Sequence, residues 1–472
     1  MIKYRLKISR EDFDELRLIV LADMPNEAGA FALAGISRQD DQVDILVRRP
    51  INVPSRMMVV QNEYHLEVSP QAINGLISLC EINKLGTVIC HSHPEGLSYS
   101  PSDDYGESRI VNSLRQFVPA GAPIASLLFT PSEVTGRVWL PAHPAQTWLD
   151  EIIVIGHHIY RIETKKKKLG EPAGLNLDLY DRQVRAFGKE GQDVISRTKV
   201  GIIGVGGTGS PIAEQLVRLG VLDYVLIDPD RFSPSNLTRV YGTTYKSVKR
   251  AKRRGEYKVD LVASHLKGIN PTIRVRAMRK NVVESDACHA LLDRDVLFLC
   301  TDEHWGRSVV NQVSYQYMIP SINLGVRVAS NNGVITAAVG VLDVLRPGKP
   351  CLWCKQFLRA GRIAAESMPA EKRKELLQEG YVEDIDTPKP SVISFTSSMA
   401  SLAVSIFIHM LTDFMGDGGN ISRISLNFLT GESHRGITQI GPNCICQKVK
   451  GFGELTNLST VNNFKVVSRR IT

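Results

Sequence analysis

At 472 residues the chain is long enough for two or three domains, each burying its own core. Its composition is that of a soluble globular protein, and the formal charge of +8 is mild for this length. With no base-stacking or groove-reading motif beside that charge, a nucleic-acid partner is not expected. In chain order, residues 1–160 read as a small α+β unit. A helix is predicted over 11–22, apolar strands over 28–36 and 42–47, and a helix near 70–83. The strand 87–90 runs straight into His91-Ser92-His93-Pro94, and strands near 124–129 and 138–140 follow. A polar stretch containing the run Lys165 to Lys168 marks a linker over 161–177. From about Val200 the pattern becomes strand–turn–helix alternation, which predicts a doubly wound α/β domain over 178–450 and leaves 451–472 as a tail. The longest apolar run, 392–411, is interrupted by five serines and His409, so it reads as a core or interface helix rather than a membrane span. The N-terminus lacks the apolar core of a signal peptide, and a cytoplasmic address is expected.

The loop Gly204-Val205-Gly206-Gly207-Thr208-Gly209 lies between an apolar strand and a helix. There the first glycine of G-x-G-x-x-G permits a tight turn. The second admits phosphate to the backbone, and the third lets the helix pack close. Asp228 ends the next apolar strand, where it can bond ribose hydroxyls. A nicotinamide dehydrogenase would share these features. The residues that follow favour a triphosphate instead: Ser235-Asn236-Leu237-Thr238-Arg239, Gly255-Glu256-Tyr257-Lys258 and Cys300-Thr301-Asp302. Cations stabilise phosphoryl oxygens and an aspartate holds Mg2+, whereas hydride transfer needs neither. Four of the eight cysteines form two close pairs, Cys351/Cys354 and Cys444/Cys446, in a chain without a secretion signal, a pattern that suggests metal rather than disulfides.

This order of motifs, with Tyr180-Asp181-Arg182-Gln183 ahead of the loop, resembles the bacterial branch of the ubiquitin-activating superfamily, typified by MoeB, ThiF and HesA proteins. The resemblance covers roughly 178–447 and implies a Rossmann-like adenylation domain. By it, Gly204, Gly206, Gly207 and Gly209 line ATP and Asp228 binds ribose. Asn236, Arg239 and Lys258 engage the phosphates, Asp302 ligates Mg2+, and Arg182 reaches the partner subunit's triphosphate in a homodimer. Cys351, Cys354, Cys444 and Cys446 resemble that superfamily's structural zinc site, although the second pair has one intervening residue rather than two. The cargo would be a ubiquitin-like protein. No cysteine lies between Cys354 and Cys444, so adenylation without an enzyme-bound thioester is expected, with a separate conjugating enzyme as a further candidate partner.

Histidines at i and i+2 on an extended segment face one side, so His91 and His93 can share a metal. A carboxylate would complete three ligands and leave a position open for water. With Pro25-Asn26-Glu27-Ala28-Gly29 upstream and Ser100-Pro101-Ser102-Asp103 downstream, the set resembles the JAMM (MPN-type, or JAB) metalloprotease signature. That resemblance implies a catalytic zinc, Glu27 as general base and Ser100 at the oxyanion. The rival bases are Glu63 and Glu67. Asp103 matches S-x-x-D but sits one residue close to His93; Asp104 has the usual spacing without the serine. Asp103 is favoured. The expected whole is an enzyme that processes and activates a ubiquitin-like protein. The alternative is a sulfur-carrier or peptide adenylyltransferase whose first domain is only a scaffold.

Overall fold

Among the described residues, eleven strands form up to residue 163: β1 (Lys3–Ser9), β2 (Gly29–Arg38), β3 (Gln42–Asn52), β4 (Met58–Gln61), β5 (Leu66–Val68), β6 (Gly86–Ser92), β7 (Ile124–Phe129), β8 (Val134–Trp139), β9 (Gln146–Trp148), β10 (Glu151–Ile155) and β11 (Ile159–Glu163). Nine of them make one sheet in the order β11-β10-β1-β3-β2-β6-β7-β8-β9, and β4 and β5 pair as a separate hairpin. Helices α1 (Arg10–Val20), α2 (Pro70–Asn83) and α3 (Pro101–Leu114) cover the sheet. The computed structural model describes residues 2–141, 145–164, 177–379, 390–459 and 461. The Lys165–168 run, most of the expected linker and most of the tail lie outside the described residues.

Strand alternation decides which face each side chain takes. Along β2, Ala30, Ala32 and Ala34 meet Phe13, Leu16 and Val20 of α1. Phe31 and Leu33 point the other way, towards Leu76 of α2 and Val111 and Leu114 of α3. β6 follows the same rule, with Val88 and Cys90 on the α1 side and Ile89 on the α3 side. The strands β1, β10 and β11 are absent from the sequence expectation. In β1, Lys-Tyr-Arg-Leu-Lys-Ile-Ser intersperses cations with Leu6 and Ile8, which disguises a strand that is buried from Arg5 onward.

The second sheet contains β12 (Lys199–Ile203), β13 (Asp223–Ile227), β14 (Arg274–Met278), β15 (Val296–Leu299), β16 (Ser321–Asn331), β17 (Val334–Leu345), β18 (Arg423–Asn427) and β19 (Ser433–Gly436). Its order is β14-β13-β12-β15-β16-β17-β18-β19, parallel through β16 and antiparallel beyond. The helices are α4 (Asp181–Arg197), α5 (Gly209–Leu219), α6 (Tyr245–Arg254), α7 (Lys258–Ile269), α8 (Ser285–His289), α9 (His304–Gln316), α10 (Ala360–Ser367), α11 (Ala370–Gln378), α12 (Ile393–Thr412) and α13 (Ile445–Lys448). Val200, Ile202 and Leu226 pack on α5, α7 and α12, whereas Ile203, Val225 and Leu297 pack on α9. This is the mixed α/β, Rossmann-like architecture expected of the second domain. The strand order reverses between β12 and β15, the place where such sheets open a ligand crevice. Helix α12 is long and apolar enough to cross a membrane, yet half of its most apolar stretch is buried, with Met399, Ala403 and Phe407 in the core.

The two sheets share a seam. Ile153, Ile155 and Ile159 join the second sheet's core. Residues 451–455, expected as part of a tail, instead run against the first sheet: Gly453 bridges Ile36, and a Cβ on Gly35 would lie 2.2 Å from the Gly451 carbonyl. Arg5 holds Asp44 through two hydrogen bonds of 2.7 and 2.9 Å and reaches Asp295, which Arg161 also binds at 3.1 Å. Lys7 contacts Asp44 at 2.9 Å. Burial raises the Asp44 pKa, but Arg5 and then Lys7 outweigh it and bring it down to about 2. Since the folded value lies below the unfolded ~3.9, stability from this carboxylate is present above pH ~4 and is lost as pH falls through about 2. Asp44→Asn should therefore cost about 3–5 kcal/mol at neutral pH, because it leaves buried Lys7 without a carboxylate and Arg5 with Asp295 alone. Urea denaturation measures this. A loss under about 1 kcal/mol would show that the network does not hold the seam.

Candidate nucleotide and metal sites

The glycine loop leaves β12 at the switch point. Gly204 has φ +85, and a Cβ there would lie 2.8 Å from the Thr301 nitrogen at the end of β15. A Cβ on Gly209 would lie 1.9 Å from the Gly204 carbonyl, so the turn and the start of α5 both require glycine. Gly206 has nothing within 4 Å of its Cβ position and faces open space. Thr208 caps the loop against the next strand, its hydroxyl donating to the Cys300 carbonyl at 3.4 Å. Asp228 is buried, and its carboxylate accepts the Val205 and Asp230 N–H groups at 2.9 Å each. Burial outweighs these contacts and the Lys258 charge, and raises its pKa.

Asn236 is buried in the turn before α6, its Oδ1 accepting the Ser233 N–H at 2.9 Å. Arg239 passes 3.4 Å from the Gly207 Cβ position, opposite Thr396 of α12. Lys258 starts α7 and bonds Asp230 at 2.6 Å. Asp302 is exposed just beyond β15. The loop, Asp228, Arg239 and Lys258 thus share one mouth. Arg182, exposed on α4, makes no hydrogen bond to the loop among the described residues. Thr396 and Arg307 escaped the sequence reading of this region. Arg307 is buried on α9, lies over Phe357 at 4.8 Å, and its Nε has no partner. Burial lowers its pKa to about 10 despite the opposing field of Asp302. A cation inside the otherwise uncharged stretch from Trp305 to Gln316 was the signal available.

The second cluster follows from register. The antiparallel pairing Gly29↔His91 sets Glu27 across from His93. His91 and His93 share strand parity with Ile89, so both face α3. α3 opens with a capping box in which Asp103 N–H donates to Ser100 Oγ at 3.1 Å and Asp103 accepts the Ser100 N–H at 2.6 Å. That turn aims Asp103 at the histidines, 3.5 Å from His91 Nε2 and 3.3 Å from His93 Nε2. Glu27 Oε1 lies 3.5 Å from His93 Nε2. Metal–ligand bonds of ~2.0–2.1 Å set tetrahedral edges of about 3.3–3.4 Å, so His91, His93 and Asp103 fit one ion. His91 Nε2 is buried with no hydrogen-bond partner, as a ligand atom facing a metal position would be. The candidacy of Asp104 as ligand is corrected: one residue is a rotation of about 100° on a helix, and Asp104 pairs with Arg137 instead. Glu63 and Glu67 are exposed beside the β4–β5 hairpin, whereas Glu27 is buried within the cluster.

Behind the histidines, Glu107 of α3 lies 3.9 Å from His91 Nδ1 and accepts from Ser126, Arg137 and Trp139. Those three bonds all fall on Oε2; Oε1, the oxygen nearer His91, is buried without a hydrogen-bond partner. The third group joins Cys351 and Cys354, after β17, to Cys444 and Cys446 at α13. Sulfur separations are 3.8 Å for Cys351–Cys354, 3.5 Å for Cys351–Cys444 and 3.8 Å for Cys354–Cys446. Tetrahedral Zn–S bonds of ~2.3 Å require edges near 3.8 Å. The single residue between Cys444 and Cys446 suffices because Cys444 caps α13 and Cys446 lies in its first turn. Gly441 N–H donates to Cys354 Sγ at 3.3 Å, a second-layer contact typical of thiolate sites.

The sequence profile of the ThiF family matches residues 180–444, more than half of the chain. The chain belongs to the ThiF family. Over 180 residues it is 28% identical to the SAMP-activating enzyme E1 of Haloferax volcanii, covering 38% of this chain and 61% of that protein. It is 31% identical over 140 residues to the sulfur carrier protein adenylyltransferase of Thermus thermophilus, covering 29% and 49%. The molybdopterin-synthase adenylyltransferase of Escherichia coli is 26% identical over 179 residues, covering 37% and 66%. These matches span about half to just under two thirds of the relatives' own lengths. In this ThiF-family chain, residues 1–179 lie outside the matched span.

Proposed function

We propose that this ThiF-family protein adenylates the C-terminal carboxylate of a ubiquitin-like protein, with ATP and Mg2+, and that its first domain is a JAMM-type hydrolase for the bond after that protein's terminal glycine. The observation that carries the adenylation is the single mouth at the switch point, where loop 204–209, Asp228, Arg239 and Lys258 meet. The substrate carboxylate attacks the α-phosphorus, the bond to pyrophosphate breaks, and an acyl-adenylate and pyrophosphate result. Asp228 receives the ribose hydroxyls on lone pairs left over from its two backbone bonds. The loop N–H groups and the start of α5 receive phosphate, Asn236 and Arg239 grip its oxygens, and Lys258 exchanges Asp230 for the triphosphate. Asp302 would hold Mg2+, which neutralises charge on the leaving group. In a homodimer, Arg182 would serve the partner's site.

In the first domain, His91, His93 and Asp103 would hold zinc, which when bound lowers the pKa of water. Glu27 takes that water's proton and the Ser100 hydroxyl donates at the oxyanion. The four cysteines would hold a structural zinc with no open position. The thiols this requires suit a cytoplasmic address. A second reading is favoured by the relatives named for sulfur carriers and molybdopterin synthase: the same adenylation feeding sulfur transfer, or acting on a peptide, with the first domain as scaffold. The mass of the product, thiocarboxylate or protein conjugate, distinguishes them.

The test is ATP–pyrophosphate exchange by the full chain with a glycine-ended ubiquitin-like protein. Exchange should depend on that protein and vanish when its tail is amidated. Exchange that ignores the tail would overturn the assignment.

A further inference from the structure

We propose that the seam between the two sheets carries a binding site for a small oxyanion of the inorganic phosphate class, centred on Arg346. A cavity of about 140 Å³ opens there between the first turn of α1, the Gly156–His157 turn after β10 and the loop after β17. Its charged lining is Arg10, Glu11, His157, Arg346 and Lys349, with Asn420 beside them. At about 30 Å³ per water, the space takes roughly five waters. That is enough for phosphate and well short of the ~300 Å³ or more that a nucleotide-sized ligand needs.

Arg346 is the observation that calls for an anion. It is 3% exposed, donates to Asn420 Oδ1 at 2.8 Å, and its Nε has no partner. Among the described residues no carboxylate forms an ion pair with its guanidinium. A buried, unpaired guanidinium is costly unless something of opposite charge visits it. The other cations already have carboxylates, Arg10 with Asp14 at 2.7 Å and Lys349 with Glu11 at 2.6 Å. Glu11 is the one acid in the lining, and it sets the competition: an entering phosphate must share Lys349 with it. With Arg10 held by Asp14 and Lys349 by Glu11, Arg346 leaves the lining one positive charge in excess.

The walls give the site a consequence. Arg10 and His157 belong to the first domain, whereas Arg346 and Lys349 stand in the turn five to two residues ahead of Cys351. An anion held between them ties the hydrolase-like domain to the segment that leads into the cysteine cluster. Neither candidate active site contributes a residue to this cavity.

Inorganic phosphate is the probe, titrated into the full chain at constant ionic strength with chloride as the balancing anion, and read by thermal midpoint. The expected result is a saturable rise. Lys349→Ala and Arg346→Met should weaken binding at least tenfold, and Glu11→Gln should tighten it several-fold by removing the competing charge. Lys258→Ala, altered at the nucleotide mouth, should keep the response. No saturable rise overturns the proposal. So does a rise unchanged in Lys349→Ala and Glu11→Gln, two partly exposed positions whose substitution leaves the fold intact. A response lost in Lys258→Ala but kept in Arg346→Met would assign the phosphate to the nucleotide mouth and equally overturn it.

Discussion

Asp302→Ala should lower ATP–pyrophosphate exchange by about 10³-fold while leaving the stability of the chain within about 0.5 kcal/mol. The two halves of that expectation come from different links in the argument. Asp302 is exposed just past β15, outside the cores that hold the sheet, and none of the ion pairs among the described residues includes it. Removing it therefore opens no cavity and breaks no ion pair, and takes away its field on Arg307. Its position is nonetheless fixed, because the Thr301 nitrogen packs against Gly204 and the Cys300 carbonyl takes the Thr208 hydroxyl. Asp302 thus follows directly on backbone that meets the glycine loop, and on the proposed adenylation its carboxylate would face the charge that builds on the phosphoryl oxygens. A charged group preorganised at such a point is worth several kcal/mol in the transition state and little in the resting protein. Asp302→Asn separates charge from shape: it should retain the fold and ATP-loop geometry and lose most of the exchange. Exchange at wild-type rate in either variant, with unchanged urea midpoint, would remove Asp302 from the chemistry.

How far the sequence speaks depends on whether function rests on local or non-local geometry. The glycine loop was legible because its constraints are local: Gly204 and Gly209 are forced by a turn and by a helix packing on its own preceding strand. The pairing of His91 with His93 was legible for the same reason, since strand parity is a two-residue rule. Choosing between Asp103 and Asp104 needed the helix phase at Ser100, which the S-x-x-D spacing encodes through the capping box. Glu107 and Arg137 were not legible, because their meeting depends on α3 lying across β7 and β8. Thr396 reaches the nucleotide mouth from α12, nearly 200 residues after the loop, and no pattern in the apolar run announces it. The charged strand β1 was missed because its cations are buried only in the company of Asp44 and Asp295. Hydrophobic patterning assigns Arg5 and Lys7 to solvent, and tertiary pairing overrides that assignment.

On the hydrolase reading proposed for the first domain, Glu27→Gln should lower cleavage of a C-terminally extended ubiquitin-like protein by about 10²–10⁴-fold without loss of bound zinc. Glu27 is 5% exposed just ahead of β2, held there by the Gly29↔His91 register, with its N–H donating to the Asn62 carbonyl at 2.9 Å. The amide has the same shape, so the packing and the His91–His93–Asp103 set are retained. What it lacks is basicity, since an amide oxygen is far too weak a base to take a proton from water. Burial raises the Glu27 pKa, with the nearby histidines opposing that rise. The paired measurements are cleavage by intact mass and metal content by elemental analysis. Cleavage lost with zinc retained assigns Glu27 to proton transfer. Full cleavage by the variant sinks that role, and loss of zinc together with cleavage would make Glu27 a fourth ligand instead. ATP–pyrophosphate exchange should be untouched by the same substitution, since the glycine loop lies on the other sheet. A chain in which Glu27→Gln stops cleavage and Asp302→Ala stops exchange, each without the other, holds two active sites for the two ends of one cargo's life.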